Sequence, residues 1–385
     1  MKVLHTVLAF LRRTDLLLLA LCLLASAFGV VVIASATNYY GSMHYVLVQI
    51  VAILLGVILY ILLSQLDVDI LADRSELLFI FNLLFIGMLL VWGIEGNTGN
   101  RSWLSFSFLP FNIQPAEICK TTYVIICAKL MQTYRRRLSE PKAVLIMAGH
   151  MLITVAAIYI ASKDTGVALI YIFVFLLMAY TGGVSRYWFL TGGVLALLAA
   201  PFLWFVIFKD SQRNRIISLF NPSVDAAGVG VRWQTNLSLR AIRSGGVAGQ
   251  GLFRGGMTQM GANPQQHNDF IFSTIAEELG IIGCLIVILL IAAIIVRCIR
   301  IGTQSKNYMN RMICIGIAAT LIFQTVVNVG MCLGLLPVVG LTLPFISYGG
   351  SSIISLYCAV GIVSGIAKRA DDATEAIYIR PPFLQ

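Results

Sequence analysis

Apolar stretches of about twenty residues alternate along the chain with short polar breaks. Twenty residues of helix rise about 30 Å, the thickness of the hydrocarbon core of a bilayer. Ten such stretches can be marked, at 15–37, 44–65, 75–95, 114–133, 142–161, 165–182, 187–208, 270–297, 311–334 and 349–368. The expected fold is therefore all-α and polytopic, a single integral membrane domain over residues 1–385. One large connection, about 209–268, joins the seventh and eighth helices. The first stretch follows Arg12 and Arg13 but is too long for the apolar core of a signal peptide, and further spans follow it, so it reads as the first helix. The third-to-fourth connection, GNTGNRSWLSFSFLPFNIQPAE, is amphipathic. The ninth-to-tenth, GLLPVVGLTLPFISYGG, is largely apolar and is expected to dip back into the membrane, where irregular backbone needs protein or water partners. No internal repeat or low-complexity segment is evident.

Composition agrees with this pattern. Of 385 residues, 59% are hydrophobic and 11% charged, a balance no soluble globular chain of this size has. The mean hydropathy is +0.89. Eight cysteines lie almost entirely within apolar runs, at spacings that match no metal framework, and read as small packing residues.

Charge sets the expected orientation. With the N-terminus inside, the short inner segments and tails hold sixteen Lys and Arg, including Arg135, Arg136, Arg137, Arg297, Arg300, Lys306, Lys368 and Arg369. The short outer loops hold two, Arg101 and Lys163. By the positive-inside rule both termini are cytoplasmic and the 209–268 connection is extracytoplasmic. That connection carries seven more cations: Lys209, Arg213, Arg215, Arg232, Arg240, Arg243 and Arg254. It is too long for the rule to govern. Most of the net charge of +10 is thus topological and gives no indication of nucleic acid.

Ionisable groups at membrane depth cost roughly 2.5–3.5 kcal/mol each on insertion scales, so they are functional candidates. Asp269 stands where the large connection meets the eighth helix. It could act chemically, or simply cap the helix or favour its dipole. His267 could orient that carboxylate or bind a phosphate, or be incidental; Ser273 shares the Asp269 face. Glu277 lies on the same face about 12 Å further along. That is too far to form a catalytic pair, so Glu277 and Glu278 read as structural acids, Glu277 pairing with a buried cation or polar backbone. Glu117 and Lys120, three apart at the mouth of the fourth helix, could neutralise each other or serve a pyrophosphate or a metal. Lys163 and Asp164 repeat the pairing before the sixth helix. The run Ser244-Gly245-Gly246-Val247-Ala248-Gly249-Gln250-Gly251 sits among Arg240, Arg243 and Arg254. It could be a mobile loop or a phosphate nest. It is neither a P-loop nor a dinucleotide fingerprint.

Together these segments resemble the SEDS family (shape, elongation, division and sporulation), which includes RodA, FtsW and SpoVE. The carrying residues are Gly99-Asn100-Arg101-Ser102-Trp103-Leu104, Gln114-Pro115-Ala116-Glu117 with Lys120, and Ser244-Gly245-Gly246. His267-Asn268-Asp269-Phe270-Ile271-Phe272, Ala276-Glu277-Glu278-Leu279-Gly280, Asn328-Val329-Gly330-Met331 and Leu343-Pro344-Phe345-Ile346-Ser347-Tyr348-Gly349-Gly350-Ser351-Ser352 complete the set, in order along the whole chain. The chain departs from the family pattern at Ser162-Lys163-Asp164-Thr165-Gly166, which keeps only the acid and the glycine. Pro264-Gln265-Gln266-His267-Asn268-Asp269 lacks an acid, Arg243 replaces a glycine, and Gln250 replaces a frequent lysine.

The resemblance implies a peptidoglycan glycosyltransferase that polymerises lipid II outside the cytoplasmic membrane of a bacterium, releasing undecaprenyl pyrophosphate. Its implied partners are a class B penicillin-binding protein, membrane lipids and other elongation or division proteins. It also implies that Asp269 is the essential aspartate, with Glu117, Lys120 and Asp164 as helpers. A carboxylate can take the proton of the attacking 4-hydroxyl, and nearby cations are expected to keep Asp269 ionised. Candidates for the pyrophosphate or the rest of the substrate are Glu117, Lys120, Asp164, Arg101, Arg213, Arg243, His267, Ser244 and Gly245. No cofactor is required by the sequence, although a divalent metal (Mg or Mn) near Glu117 would serve the polyanionic leaving group. Two other classes stay open: a lipid II flippase or other transporter, and a scaffold for the transpeptidase without chemistry of its own.

Overall fold

The computed structural model describes residues 14–95, 100–107, 109–225, 228 and 230–378. Arg12, Arg13 and Gly99 lie outside the described residues. The long helices are α1 (Leu16–Ala36), α2 (His44–Gln65), α3 (Ser75–Trp92), α4 (Pro115–Thr133), α5 (Pro141–Ser162), α6 (Thr165–Gly182) and α7 (Arg186–Ile207). After two helices in the large connection, α8 (Asp210–Phe220) and α9 (Trp233–Gly245), follow α10 (Ile271–Gln304), α11 (Tyr308–Cys332) and α12 (Gly350–Tyr378).

Nine of the described helices are long and apolar enough to cross a membrane. The remaining expected span, the fourth at 114–133, forms α4, which has the length but carries Glu117, Lys120 and Lys129. Most of α4 is buried, and it packs among α3, α6, α11 and α12. A helix shielded from lipid by its neighbours needs no uniformly apolar surface, which explains why it is less hydrophobic than the rest. At the opposite extreme, none of Arg186–Phe202 in α7 is buried. Pro201 lies near the end of that stretch, and Leu203–Ile207 continue as π-helix, where the missing Pro N–H loosens the ladder.

The core runs along α2–α12, α10–α11, α6–α11 and α1–α10 contacts. It includes the fully buried rings of Tyr60, Tyr123, Tyr171 and Tyr357. At the end of the bundle away from the large connection, Asp15 caps α1 through Leu18 N (2.8 Å) and pairs with Arg297 of α10. These contacts fix the two helices relative to one another.

The large connection is more ordered than a polar loop. Thr235, Ser238, Ala241 and Gly245 form one small-residue face of α9, which lets that helix lie close on α10. α10 itself is broken at Gly280 (φ 64°, ψ −164°). A break in a membrane helix frees backbone groups that must find partners. The glycine run supplies them: Gln250 N and Gly251 N donate to the carbonyls of Glu277 and Glu278, both at 2.9 Å. In return Ile281 N and Ile282 N donate to the Gly246 and Val247 carbonyls (3.1 and 3.3 Å). Neither reading of this run from the sequence alone, as a mobile loop or a phosphate nest, describes these glycines. They are the other half of a helix break.

The 333–349 connection packs into the helix bundle. Leu341, Leu343, Phe345 and Ile346 are buried, and the Ile346 backbone rests on Gly29 in the middle of α1. Its backbone is satisfied by side chains from two helices. Gln49 of α2 donates to Ser347 O and accepts from Gly349 N, while Asn328 of α11 donates to Leu341 O.

Candidate active site

Asp269 lies just before α10, half-buried, at a junction pinned from several sides. Its backbone carbonyl accepts from Asn328 Nδ2 at 2.8 Å, and the same amide reaches the Leu341 carbonyl at 2.6 Å. Ser347 Oγ donates to the Asn268 carbonyl (2.7 Å), and Tyr348 N donates to the His267 carbonyl (2.9 Å). The inserted connection therefore forms the bed on which residues 267–269 lie. Gly340 (φ 71°) approaches the carboxylate so closely that an added Cβ would lie 3.5 Å from Oδ2.

Asp164 comes to the same site from the start of α6. It caps that helix, with Oδ1 accepting from Val167 N (3.1 Å) and Oδ2 accepting from Ser102 Oγ (3.4 Å) and Gln114 Nε2 (3.3 Å). These are its partners in place of Lys163, which stands exposed in a left-handed conformation (φ 56°). Burial raises the Asp164 pKa to about 6, aided by the nearby Glu117 charge. Burial also raises Asp269 to about 7, with repulsion from Asp164 added. This corrects the expectation that basic neighbours keep Asp269 ionised, since the carboxylate is held close to neutrality by desolvation and by another acid. For a general base that is favourable, because a pKa near the working pH balances availability against proton affinity.

One turn inside the mouth of α4, Lys120 Nζ donates to Glu117 Oε2 at 2.8 Å, both side chains buried. The Glu117 backbone carbonyl accepts from Ser355 Oγ of α12. With its carboxylate engaged by Lys120, Glu117 does not fit the metal-ligand role considered for it. Among the described residues no three His, Cys, Asp or Glu side chains converge as a metal site.

The other sequence candidates are placed elsewhere or engaged otherwise. Arg101 pairs with Glu95 on the surface (3.1 Å). Arg213 pairs with Asp210 and donates to the Phe205 carbonyl. Arg243 is exposed on the last turn of α9, where a cation favours the helix dipole. Ser244 bonds back to the Ala241 carbonyl. Gly245 lies so close to α10 that an added Cβ would come within 1.8 Å of the Ala276 carbonyl, which leaves no room for a ligand. His267 packs against the rings of Tyr45 (4.8 Å between centroids) and Tyr348 (5.7 Å), and burial lowers its pKa to about 4. It is neutral at physiological pH and supplies no charge to a phosphate. Glu277 accepts from Met257 N, Thr258 N and Thr258 Oγ1. Glu278 accepts from Ser35 Oγ, Gly255 N and Gln259 Nε2. Both acids hold the 255–259 turn, the polar-backbone role expected of Glu277.

Arg215 does reach the site and was not singled out. Its Nη1 donates to the Val338 carbonyl at 3.0 Å, two residues from Gly340. A signal was available: Asp210 and Arg213 are spaced i, i+3 on one helix and neutralise each other, leaving Arg215 on another face.

Comparison with known proteins follows from this arrangement. A family profile described as cell cycle protein, covering FtsW, RodA and SpoVE, matches residues 15–372. The chain belongs to this family. Over 366 residues it is 30% identical to a probable peptidoglycan glycosyltransferase FtsW of Trichlorobacter lovleyi, covering 93% of this chain and 94% of that protein. It is 31% identical over 317 residues to the peptidoglycan glycosyltransferase MrdB of Escherichia coli, covering 82% and 83%. A solved peptidoglycan synthase complex that coordinates polymerization and crosslinking contains a chain of similar fold, with TM-score 0.78 and 29% identity over 93% of this chain and 98% of that one. The FtsW, RodA and SpoVE segments recognised in the sequence converge here: 267–269, 328 and 343–348 form one hydrogen-bonded unit beside Asp164.

Proposed function

We propose that this protein is a peptidoglycan glycosyltransferase that polymerises lipid II on the outer side of the cytoplasmic membrane. Both termini are cytoplasmic, α4 is counted with the other nine helices as a span, and the large connection lies outside. The observation that carries the reading is Asp269, a half-buried carboxylate with its pKa raised to about 7, on a backbone pinned by Asn328. In the reaction the 4-hydroxyl oxygen of one disaccharide bonds to the anomeric carbon of another. The bond from that carbon to the pyrophosphate oxygen breaks, the leaving group takes the electron pair, and Asp269 takes the hydroxyl proton. Asp164 acts through Asp269, keeping its proton affinity high. Glu117 is committed to Lys120 and takes no part in this step as a metal ligand.

The likeness to a chain of a peptidoglycan synthase complex supports a class B penicillin-binding protein as partner. The test is direct: purified protein with lipid II forms glycan strands, and Asp269→Asn does not. Transbilayer movement of labelled lipid II without strand formation would instead point to a transporter.

A further inference from the structure

The site contains two acids beside each other, yet the reaction expels a polyanion, so the cation that receives it has to be found. Lys120 is committed to Glu117, Arg101 to Glu95 and Arg213 to Asp210. Arg215 is placed differently. Three consecutive residues of the inserted connection meet three parts of the site. Val338 O accepts from Arg215 Nη1. Val339 O is covered by Gly166 of α6, where an added Cβ would come within 2.4 Å. Gly340 lies against the Asp269 carboxylate. One tripeptide thus fixes Arg215, the start of α6 that bears Asp164, and Asp269 relative to one another. The span from 338 to 340 is at most roughly 7 Å of chain.

Beyond Arg215 a small cleft opens between α8, α9 and residues 334–338. Its polar lining is Arg215, Arg232, Ser218 and Thr235, against an apolar wall that includes Leu219 and Leu336, and no acid among the described residues lines it. Arg215 and Arg232 are half-buried. Burial lowers the Arg215 pKa, with the Asp164 charge opposing the fall, but a guanidinium remains charged throughout the working range. Val338 takes one of its five N–H donors, leaving a planar edge able to meet phosphate oxygens bidentately.

We propose that Arg215, with Arg232 behind it, holds the diphosphate of the donor lipid II and receives its developing charge as the anomeric bond breaks. The assignment rests on the glycosyltransferase reading. It places the base and the leaving-group cation at opposite ends of the 338–340 tripeptide. Preorganised cations at the leaving oxygen stabilise the transition state more than the ground state.

Binding separates this assignment from turnover. Full-length Asp269→Asn protein in lipid nanodiscs is titrated with undecaprenyl pyrophosphate and with undecaprenol, which shares the tail but lacks the charge. The parent is expected to prefer the pyrophosphate. Adding Arg215→Gln is expected to weaken pyrophosphate binding about ten- to hundredfold and leave undecaprenol binding unchanged. Arg215→Lys is expected to fall between. Arg232→Gln, which leaves the Val338 anchor in place, is expected to reduce the same preference. Full pyrophosphate preference in both glutamine variants, or none in the parent, overturns the assignment. The glycosyltransferase reading is judged separately, by strand formation with and without Asp269, so each can fail alone.

Discussion

Asn328 donates from one amide nitrogen to the Asp269 carbonyl (2.8 Å) and to the Leu341 carbonyl (2.6 Å), joining the reactive junction to the inserted connection. The side chain is fully buried, so its loss leaves the Leu341 carbonyl without this donor, at about 1–3 kcal/mol, and the Asp269 carbonyl with only the weak Cys332 Sγ contact. Asn328→Ala is expected to reduce kcat about a hundredfold through misplacement of Asp269, with little change in lipid II binding. Steady-state polymerisation and a separate binding titration measure the two effects. A parallel loss of binding would mean that Asn328 contacts the substrate.

The pH dependence follows from the Asp269 environment. As a base Asp269 works only when ionised, so kcat/KM is expected to rise with pH and level off above about 7. Asp164→Asn removes the neighbouring negative charge, lowers the Asp269 pKa and moves this limb to more acid pH. A limb that stays in place would show that Asp164 does not act through Asp269.

The Glu117–Lys120 pair is buried, so breaking it leaves a charge without its partner. Glu117→Ala is expected to lose roughly 3–5 kcal/mol of stability, and Glu117→Gln with Lys120→Met much less. Thermal unfolding in detergent measures this. If a divalent cation supports strand formation, Glu117→Gln is expected to leave its titration midpoint unchanged. A shifted midpoint would restore Glu117 as a ligand.

The glycine run gives a contrast between neighbouring residues. Gly245→Ala puts a methyl into the Ala276 carbonyl and is expected to cost at least about 1–3 kcal/mol as overpacking. Exposed Ser244→Ala is expected to change stability by less than about 0.5 kcal/mol and leave activity intact. Strong loss of activity in a stable Ser244→Ala protein would return this run to the substrate-binding surface.

Much of this was legible in the chain. Hydrophobic run length identified nine of the spans, and the apolar character of 333–349 marked a connection that is buried in the bundle, because burial and membrane solvation act on composition directly. Asp269 stood out as an acid at a helix mouth. Residue spacing could not place Asp164 beside it, since 105 positions separate them and the packing of α6 against α11 and residues 339–340 brings them together. For the same reason the charge expectation failed: Arg213 turns to Asp210 and Arg243 to the α9 terminus, while the charge that acts on Asp269 is the Asp164 carboxylate. The role of the glycine run is not legible in the sequence, because a helix break at Gly280 leaves no sign of which distant backbone completes it. Proximity to arginines suggested phosphate, but the geometry assigns the run to α10.

The most direct test of the central claim compares purified wild type, Asp269→Asn and Asp269→Glu for glycan strands formed from lipid II, with lipid II binding measured on the same samples. The account predicts that Asp269→Asn binds lipid II but loses at least about a hundredfold in strand formation, and that Asp269→Glu, a displaced base, falls between. Strand formation by Asp269→Asn at the wild-type rate would contradict it.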